Sequence, residues 1–345
     1  MAELKQTSTV NQTIAVYGAY GHTGRFVVSG LHSRGWTPIL CGRDPQQLAI
    51  LGASHPGLEM RTASIDDPAA LDRALAGAAA VVNCAGPFLD TAPALIEAAL
   101  RARIHYLDLA AEQAAVLATF QRFSVVARDA GIAVIPAMAF YGGLGDLLAT
   151  AAMGNWTDAD EIGIAIALDS WQPTRGTRQT GARNTAKRLV VSGNRLQAMA
   201  DPPPTRRWNF PALFGTLEVV GLPLSEIITL SRHLRAPEIH AYMNLAPLKD
   251  LRDPRTPAPT PADASGRSSQ KFMVEVVVRK GSQERRALAH GRDIYAVTAP
   301  LVVEAAVRLV TGSCGPPGVA SAGQRFDARD FLGSLEAEDI VVELD

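Results

Sequence analysis

Up to Pro136 the chain alternates short β-branched runs with helical patterns; beyond it, strands follow one another with few helices between. The first stretch offers strands at Ile14–Tyr17, Pro38–Cys41, Leu58–Thr62, Ala80–Cys84, Tyr106–Leu109 and Ile132–Ile135. Helical patterns at Gly24–Arg34, Ala69–Ala76, Thr91–Arg103 and Gln113–Ala130 separate them. This alternation predicts an α/β fold, a doubly wound parallel sheet with helices on both faces. The strand runs are nearly all apolar, as suits strands covered on both sides.

The second stretch offers strands at Glu161–Leu168, Leu217–Val220, Glu238–Tyr242, Phe272–Val278 and Arg286–Ala289. The last two are joined by Arg279–Glu284, a hairpin connection with Gly281 at the turn. A second, α+β domain with a largely antiparallel sheet is therefore expected. A helix follows at Ala299–Val310, and the strand-like Ile340–Glu343 is expected to pack back on the first domain. The division is thus 1–140 plus about 295–345 for the first domain and 141–294 for the second. Within the second, Arg252–Ser269 is rich in Pro, Ala, Ser and Thr, too poor in apolar side chains to order itself, and is read as a mobile loop.

A length of 345 residues accommodates two such domains. A formal net charge of -1 provides no field that would recruit nucleic acid or an anionic membrane. Cys41, Cys84 and Cys314 are far apart and form no metal-binding or disulfide pattern, so they read as reduced packing residues. The N-terminus lacks the apolar core of a signal peptide, and no apolar run approaches the ~18 residues of a membrane span, so a cytoplasmic location is expected.

The first strand runs directly into Gly18-Ala19-Tyr20-Gly21-His22-Thr23-Gly24, and a helix follows. Glycine serves such a loop in two ways: it turns sharply out of the strand and lets the backbone approach a pyrophosphate without a Cβ in the way. The helix N-terminus then offers free N–H groups to the phosphate charge. This placement is that of the dinucleotide-binding loop of a Rossmann fold.

The second strand ends in Gly42-Arg43-Asp44, where an acidic residue would read the ribose 2′-hydroxyl of NAD. A small residue followed by arginine suits a 2′-phosphate instead, which favours NADP(H). Asp44 has two readings: turned inward it restores NAD, while turned along the chain it caps the helix that begins at Pro45. The fourth strand ends in Asn83-Cys84-Ala85-Gly86-Pro87-Phe88, on the sheet edge that faces a cofactor cleft. Asn83, Ala85, Gly86, Pro87 and Phe88 join Gly18, Tyr20, Gly21, His22, Thr23, Gly24 and Arg43 as expected cofactor contacts; the plain alternative for Asn83–Phe88 is a strand-to-helix turn. Cys84 has no basic neighbour in sequence to make it a nucleophile.

The motifs GAYGHTG, CGRD, VVNCAGPF and HYLDLAAE, with GRDIYAVTAPLVVEAAVRLV and FDARDFL farther on, resemble the saccharopine dehydrogenase-like family of NADP-dependent oxidoreductases. The similarity is close over residues 13–146 and 271–333 and thin between. The resemblance implies a Rossmann domain with a second α/β domain for the substrate, NADPH as hydride donor, and a homodimer through the second domain's sheet. Tyr20 and His22 depart from the residues usual in the family's glycine loop. Many relatives, including trans-acting enoyl reductases, carry a Phe-Asp-Ser-x-Pro-Ser-Asp stretch where this chain has Phe140-Tyr141-Gly142-Gly143-Leu144-Gly145-Asp146. The substrate class is thereby left open.

The family's named reaction reduces an imine made from an amino acid and an aldehyde, and a protonated imine needs little acid catalysis. None of the six tyrosines is followed four residues later by lysine, so the couple used by short-chain dehydrogenases is absent. No metal-ligand cluster is apparent. Two catalytic candidates remain at the sheet edge. Asp108 ends a strand, with a helix cap or turn as its other reading, and Tyr141 follows the sixth strand, with a packed aromatic as its other reading. Thr177–Arg188 is basic and rich in hydroxyls; Arg183 or Lys187 would meet a substrate carboxylate or phosphate, unless the stretch is a solvated helical face. Three functions stand: an imine or activated-alkene reductase of a small metabolite, a trans-acting enoyl reductase serving a synthase, and a non-catalytic NADPH-sensing protein.

Overall fold

The computed structural model describes residues 12–211, 213–312, 315–335 and 340–345; Cys314 lies outside them. The first sheet is built from β1 (Thr13–Tyr17), β2 (Thr37–Gly42), β3 (Met60–Thr62), β4 (Ala80–Asn83), β5 (His105–Asp108) and β6 (Ala133–Ile135). Between them run α1 (His22–Ser33), α2 (Pro45–Ala53), α3 (Pro68–Leu75), α4 (Phe88–Ala102) and α5 (Gln113–Asp129). All pairings are parallel: Ile14 of β1 lies between Pro38 of β2 and Ala80 of β4. Two of the helix starts share one solution: Asp44 and Asp67 each accept backbone N–H bonds as caps, and proline occupies the next position.

The chain leaves β6 through a π-helical turn, Phe140–Leu144, that continues into α6 (Gly145–Met153). The second sheet takes β7 (Glu161–Leu168) at its centre, followed in sequence by α7 (Arg175–Arg183) and the hairpin β8 (Leu189–Ser192) and β9 (Arg195–Ala198). Then come β10 (Thr205–Asn209), β11 (Thr216–Gly221), α8 (Ser225–Leu230), β12 (Glu238–Asn244), α9 (Leu245–Arg252), β13 (Lys271–Lys280) and β14 (Gln283–Arg292). Only the β7–β12 pair is parallel, so this sheet is largely antiparallel. The β13–β14 hairpin pairs Lys280 with Gln283, leaving Gly281-Ser282 as a two-residue turn. After α9 the segment to Ser269 has neither helix nor strand, yet Arg178 donates to the carbonyls of Asp253 and Thr256, and Ser268 N–H to Asp293.

The C-terminal segment is shared between the two sheets. α10 (Thr298–Val310) packs on α1, and β15 (Gly318–Val319) extends the first sheet beside β6. α11 (Ala322–Arg325) and α12 (Ala328–Gly333) lie against α6. The final strand, β16 (Ile340–Leu344), corrects the expectation from sequence: it pairs antiparallel with β14 in the second sheet, not with the first domain. Its Ile340 is buried while Val341 and Glu343 are exposed, the alternation of a strand with one wet face, which a doubly covered parallel sheet does not accept.

One apolar core joins the two sheets, running from Ile14 and Val16 through Phe140 and Leu144 to Ile164 and Val274. A buried ion pair supports this junction: His233 lies 2.6 Å from Asp146 of α6, whose other oxygen accepts Gly323 N–H of α11. Among the described residues no helix is long and apolar enough to cross a membrane.

Candidate active site at the domain interface

The three glycines of the first loop have different surroundings, and one of them does something the sequence reading did not foresee, packing the helix on the loop. Gly18 has φ +80°, and a Cβ there would stand 2.9 Å from Ala85 Cβ, so this residue both makes the turn and lets the β4 loop approach. A Cβ at Gly24 would meet Gly18 O at 2.2 Å, so this glycine is required by helix packing. A Cβ at Gly21 meets only Gly18 O, at 3.1 Å, and its other side is open. That open side lies at the N-terminus of α1, where unpaired N–H groups favour an anion. A pyrophosphate fits this cradle, which a side chain at position 21 would fill.

At the end of β2, Tyr20 lies on Gly42 so closely that a Cβ there would be 2.5 Å from its ring. Asp44 accepts Gln46 N–H at 2.9 Å and Gln47 N–H at 3.2 Å, which commits its carboxylate to capping α2. Arg43 is exposed at the same strand end. The acid that would have competed with a 2′-phosphate is thereby engaged elsewhere.

The Asn83–Phe88 loop is held by its own side chains. Asn83 donates to Thr91 and to Tyr106 Oη, and accepts Ala85 N–H at 3.0 Å. Tyr106 donates in turn to Asp108 at 3.0 Å. Asp108 also accepts N–H bonds from Ala110 and, at 2.7 Å, from Ala137. Burial raises its pKa against the pull of these bonds. Glu112 completes the frame by accepting Phe88 N–H at 2.9 Å, beside Pro87 at the start of α4. Cys84, partly buried here, has its thiol pushed up by burial and by Asp108, the opposite of an activated nucleophile.

The second domain covers this edge. Thr180 of α7 would touch a Cβ on Gly86 at 2.6 Å, and Arg183 reaches Asp90 of α4 at 3.0 Å. Gln113 exchanges two hydrogen bonds with the backbone of Leu189, at 2.7 and 2.8 Å. Lys187 lies beyond the end of α7 and is exposed. Thr23, beside His22 in the first turn of α1, is half-buried. The His22 ring stands edge-on to Phe26 and to Tyr295, each 5.5 Å away, and its burial lowers its pKa. Tyr295 Oη joins Trp171, Thr174 and Thr177 in one polar knot.

Behind this knot lies a group of buried polar atoms with no hydrogen-bond partner among the described residues: His22 Nε2, Tyr141 Oη, Ser225 Oγ and Glu226 Oε2. The π-helical turn, which carries Tyr141, packs against α8, which carries Ser225 and Glu226. Gly142, at φ +101°, breaks the helix after Tyr141, and a Cβ there would lie 2.7 Å from Ser225 Oγ. Glu226 is 2% exposed; its Oε1 accepts Leu224 N–H at 2.7 Å. Burial lifts its pKa to about 7 against that bond, its own N–H and the attraction of Arg188. The Tyr141 phenol is raised well above its usual value by burial, then by Tyr295 and Glu226.

Residues 14–135 match the family model for the saccharopine dehydrogenase NADP binding domain. The first domain belongs to that family. A saccharopine dehydrogenase (L-Glu forming) from Saccharomyces cerevisiae shares the fold at TM-score 0.68 and 10% identity, over 96% of this chain and 99% of that one. At that identity the likeness concerns the fold alone. An amine dehydrogenase from Mycobacterium smegmatis aligns at TM-score 0.48 and 13% identity, over 94% of this chain and 98% of that one. A search of curated proteins found no match.

In this saccharopine dehydrogenase-like domain the structure brings Gly18–Gly24, Asn83–Phe88, Asp108 and Tyr141 to one sheet edge, with Arg43 at the adjoining strand end. Arg183 reaches the same edge from α7, but its partner is Asp90. Sequence reasoning missed Ser225, Glu226 and Tyr295, and within Thr177–Arg188 it picked out Arg183 and Lys187 rather than Arg188. The stretch Leu224–Ile228 carries one serine and one acid among apolar residues, and only the fold turns that acid inward.

Proposed function

We propose that the chain is an NADPH-dependent reductase that transfers hydride to an imine, or to an activated double bond, of a small metabolite, in the manner of a saccharopine reductase. The observation that carries the reading is the open cradle at Gly21, in line with the loop at Ala85-Gly86 and with the buried polar group at Tyr141. When bound there, NADPH supplies the hydride. The backbone N–H groups of α1 hold the pyrophosphate, and Arg43 pairs with the 2′-phosphate. Asn83, Asp108 and Glu112 keep the sheet-edge loops in shape, which makes Asp108 a positioning residue and leaves Tyr141 to face the substrate. Closure of α7 over Gly86 excludes water from the reacting carbon. The fold, with its intact second domain over the cleft, supports a catalytic role more than a sensing one.

A synthase-serving enoyl reductase would need a basic surface for an acidic carrier, and Arg206 and Arg207 of β10 are candidates; yet Arg206 is stacked on Trp208 and Tyr242 and paired with Glu161, and Glu161, Glu275 and Glu284 neutralise the nearby Arg279 and Arg286. The test is NADPH consumption by the purified protein across a panel of L-amino acids combined with aldehydes and 2-oxo acids. At least one pair should give turnover that disappears when the amine is omitted. Turnover with an enoyl thioester and with no amine-containing pair would contradict the imine reading.

A further inference from the structure

We propose that Glu226 is the proton-transferring residue of this site, giving its proton to the substrate nitrogen as the neighbouring carbon accepts hydride. The inference deepens the reductase reading and rests on it. Geometry carries it. A carboxyl group with almost no exposure has one oxygen fixed by Leu224 N–H and the other without a partner, a costly arrangement unless something else meets that oxygen. Two further groups without a partner among the described residues lie nearby: Ser225 Oγ on the preceding residue of α8, and Tyr141 Oη on the turn that packs against α8, close enough for the phenol and the carboxyl to act on each other. Three unpaired polar groups from two separate elements in one buried place describe a pocket for a polar ligand atom. A core packed for stability would have paired them or replaced them with apolar groups.

The surrounding charges fit proton exchange at the nitrogen of an amine or imine. Arg188, which donates to Pro223 O, attracts the carboxylate, and the Tyr141 phenol is also within its electrostatic reach. Asp146 on α6 is engaged by His233, and Arg232 beyond α8 lies over Phe120 of α5. Glu226 therefore sits near the point where it can hold or release a proton at neutral pH, as acid–base groups do. In the reduction, hydride bonds to the C=N carbon and the π pair moves to nitrogen. The Glu226 O–H bond breaks as that pair takes its proton, leaving a secondary amine and a carboxylate. Solvent then reprotonates the carboxylate. In the reverse direction the carboxylate takes the proton from the secondary amine nitrogen as hydride departs from the neighbouring carbon, which regenerates the imine and the Glu226 acid.

The experiment combines two readouts on the full chain. In the first, carbon NMR of protein labelled at glutamate side-chain carboxyls follows each signal against pH, and Glu226→Gln assigns the one that disappears. That variant keeps the oxygen that accepts Leu224 N–H. The assigned signal should titrate near neutral pH and shift when NADP+ is added. A midpoint in the ordinary glutamate range, or no response to NADP+, would overturn the proposal, and neither result depends on knowing the substrate. In the second, with an amine–aldehyde pair that turns over, Glu226→Gln should lower kcat at least ~100-fold and remove the loss of rate at high pH, with NADPH affinity within about twofold. A variant that kept kcat and the pH profile would overturn it too. Failure of the reductase reading appears separately, as wild-type protein that does not bind NADPH in a fluorescence titration.

Discussion

Gly21 and Gly24 stand three residues apart and should fail in opposite ways. Gly24→Ala places a Cβ 2.2 Å from Gly18 O, so the loop and helix must separate, at a cost of about 1–3 kcal/mol. Gly21→Val faces open space on one side, so it should leave the thermal midpoint within a few degrees and abolish NADPH binding, since the branched side chain would occupy the pyrophosphate position. Calorimetry and cofactor titration on both variants check the pair. A Gly21→Val protein that bound NADPH normally would put the phosphate elsewhere. If Arg43 meets the 2′-phosphate, NADPH should bind at least ~10-fold more tightly than NADH, about 1.4 kcal/mol, and Arg43→Ala should erase the difference. Competitive fluorescence titration measures both ratios, and an unchanged preference in the variant would remove Arg43 from the site. The geometry at these positions was legible because it is local: glycine spacing, a strand end and the Asp44 cap are all written within a few positions. Glu226 was not, because burial of a single acid depends on α8 packing against the turn after β6, roughly 85 residues earlier in the chain.

At the scale of elements, the first sheet was readable because each of its central strands is an apolar run between helices of clear period. The second was readable only where strands carry apolar side chains. β10, Thr-Arg-Arg-Trp-Asn, escaped because just one of its residues is buried, and β15 is two residues long. The place of β16 escaped for a different reason: an edge strand's partner is chosen by which edge is free, and nothing in Ile340–Leu344 names β14. The His233–Asp146 pair, which ties the end of α8 to α6, gives a test at this scale. Burial opposes charge on the His233 ring, but Asp146 outweighs it, and the folded pKa is raised above the usual ~6.5. A raised folded pKa means that the stability the pair contributes is full below about 6.5 and is lost as pH rises through the folded value. His233→Ala should cost on the order of 3 kcal/mol at pH 6, since it leaves Asp146 buried and unpaired, and less at pH 9. Urea unfolding of both proteins at the two pH values checks this; an equal loss at both would mean that the ring acts by packing alone.

For the whole molecule, the decisive feature is that two sheets share one core and meet where the cofactor loops converge. The second domain holds the first through Gln113 and Leu189, through Thr180 over Gly86, and through Arg183 and Asp90. The last pair is exposed on both sides and so adds little to the stability of the fold, while the proposed function puts it at the rim of the substrate site. Replacing Arg183 and Lys187 with alanine should therefore weaken substrate use while leaving NADPH affinity within about twofold and the thermal midpoint unchanged. Steady-state kinetics with a pair that turns over checks it, and unaltered kinetics would return α7 to ordinary solvated surface. The most direct test of the account is a crystal structure of the chain with NADP+. The pyrophosphate should lie over Gly21 at the start of α1, the 2′-phosphate against Arg43, and the nicotinamide C4 beside Ala85-Gly86, facing Tyr141 and Glu226. A dinucleotide bound elsewhere, or with its nicotinamide turned away from Tyr141, would contradict it.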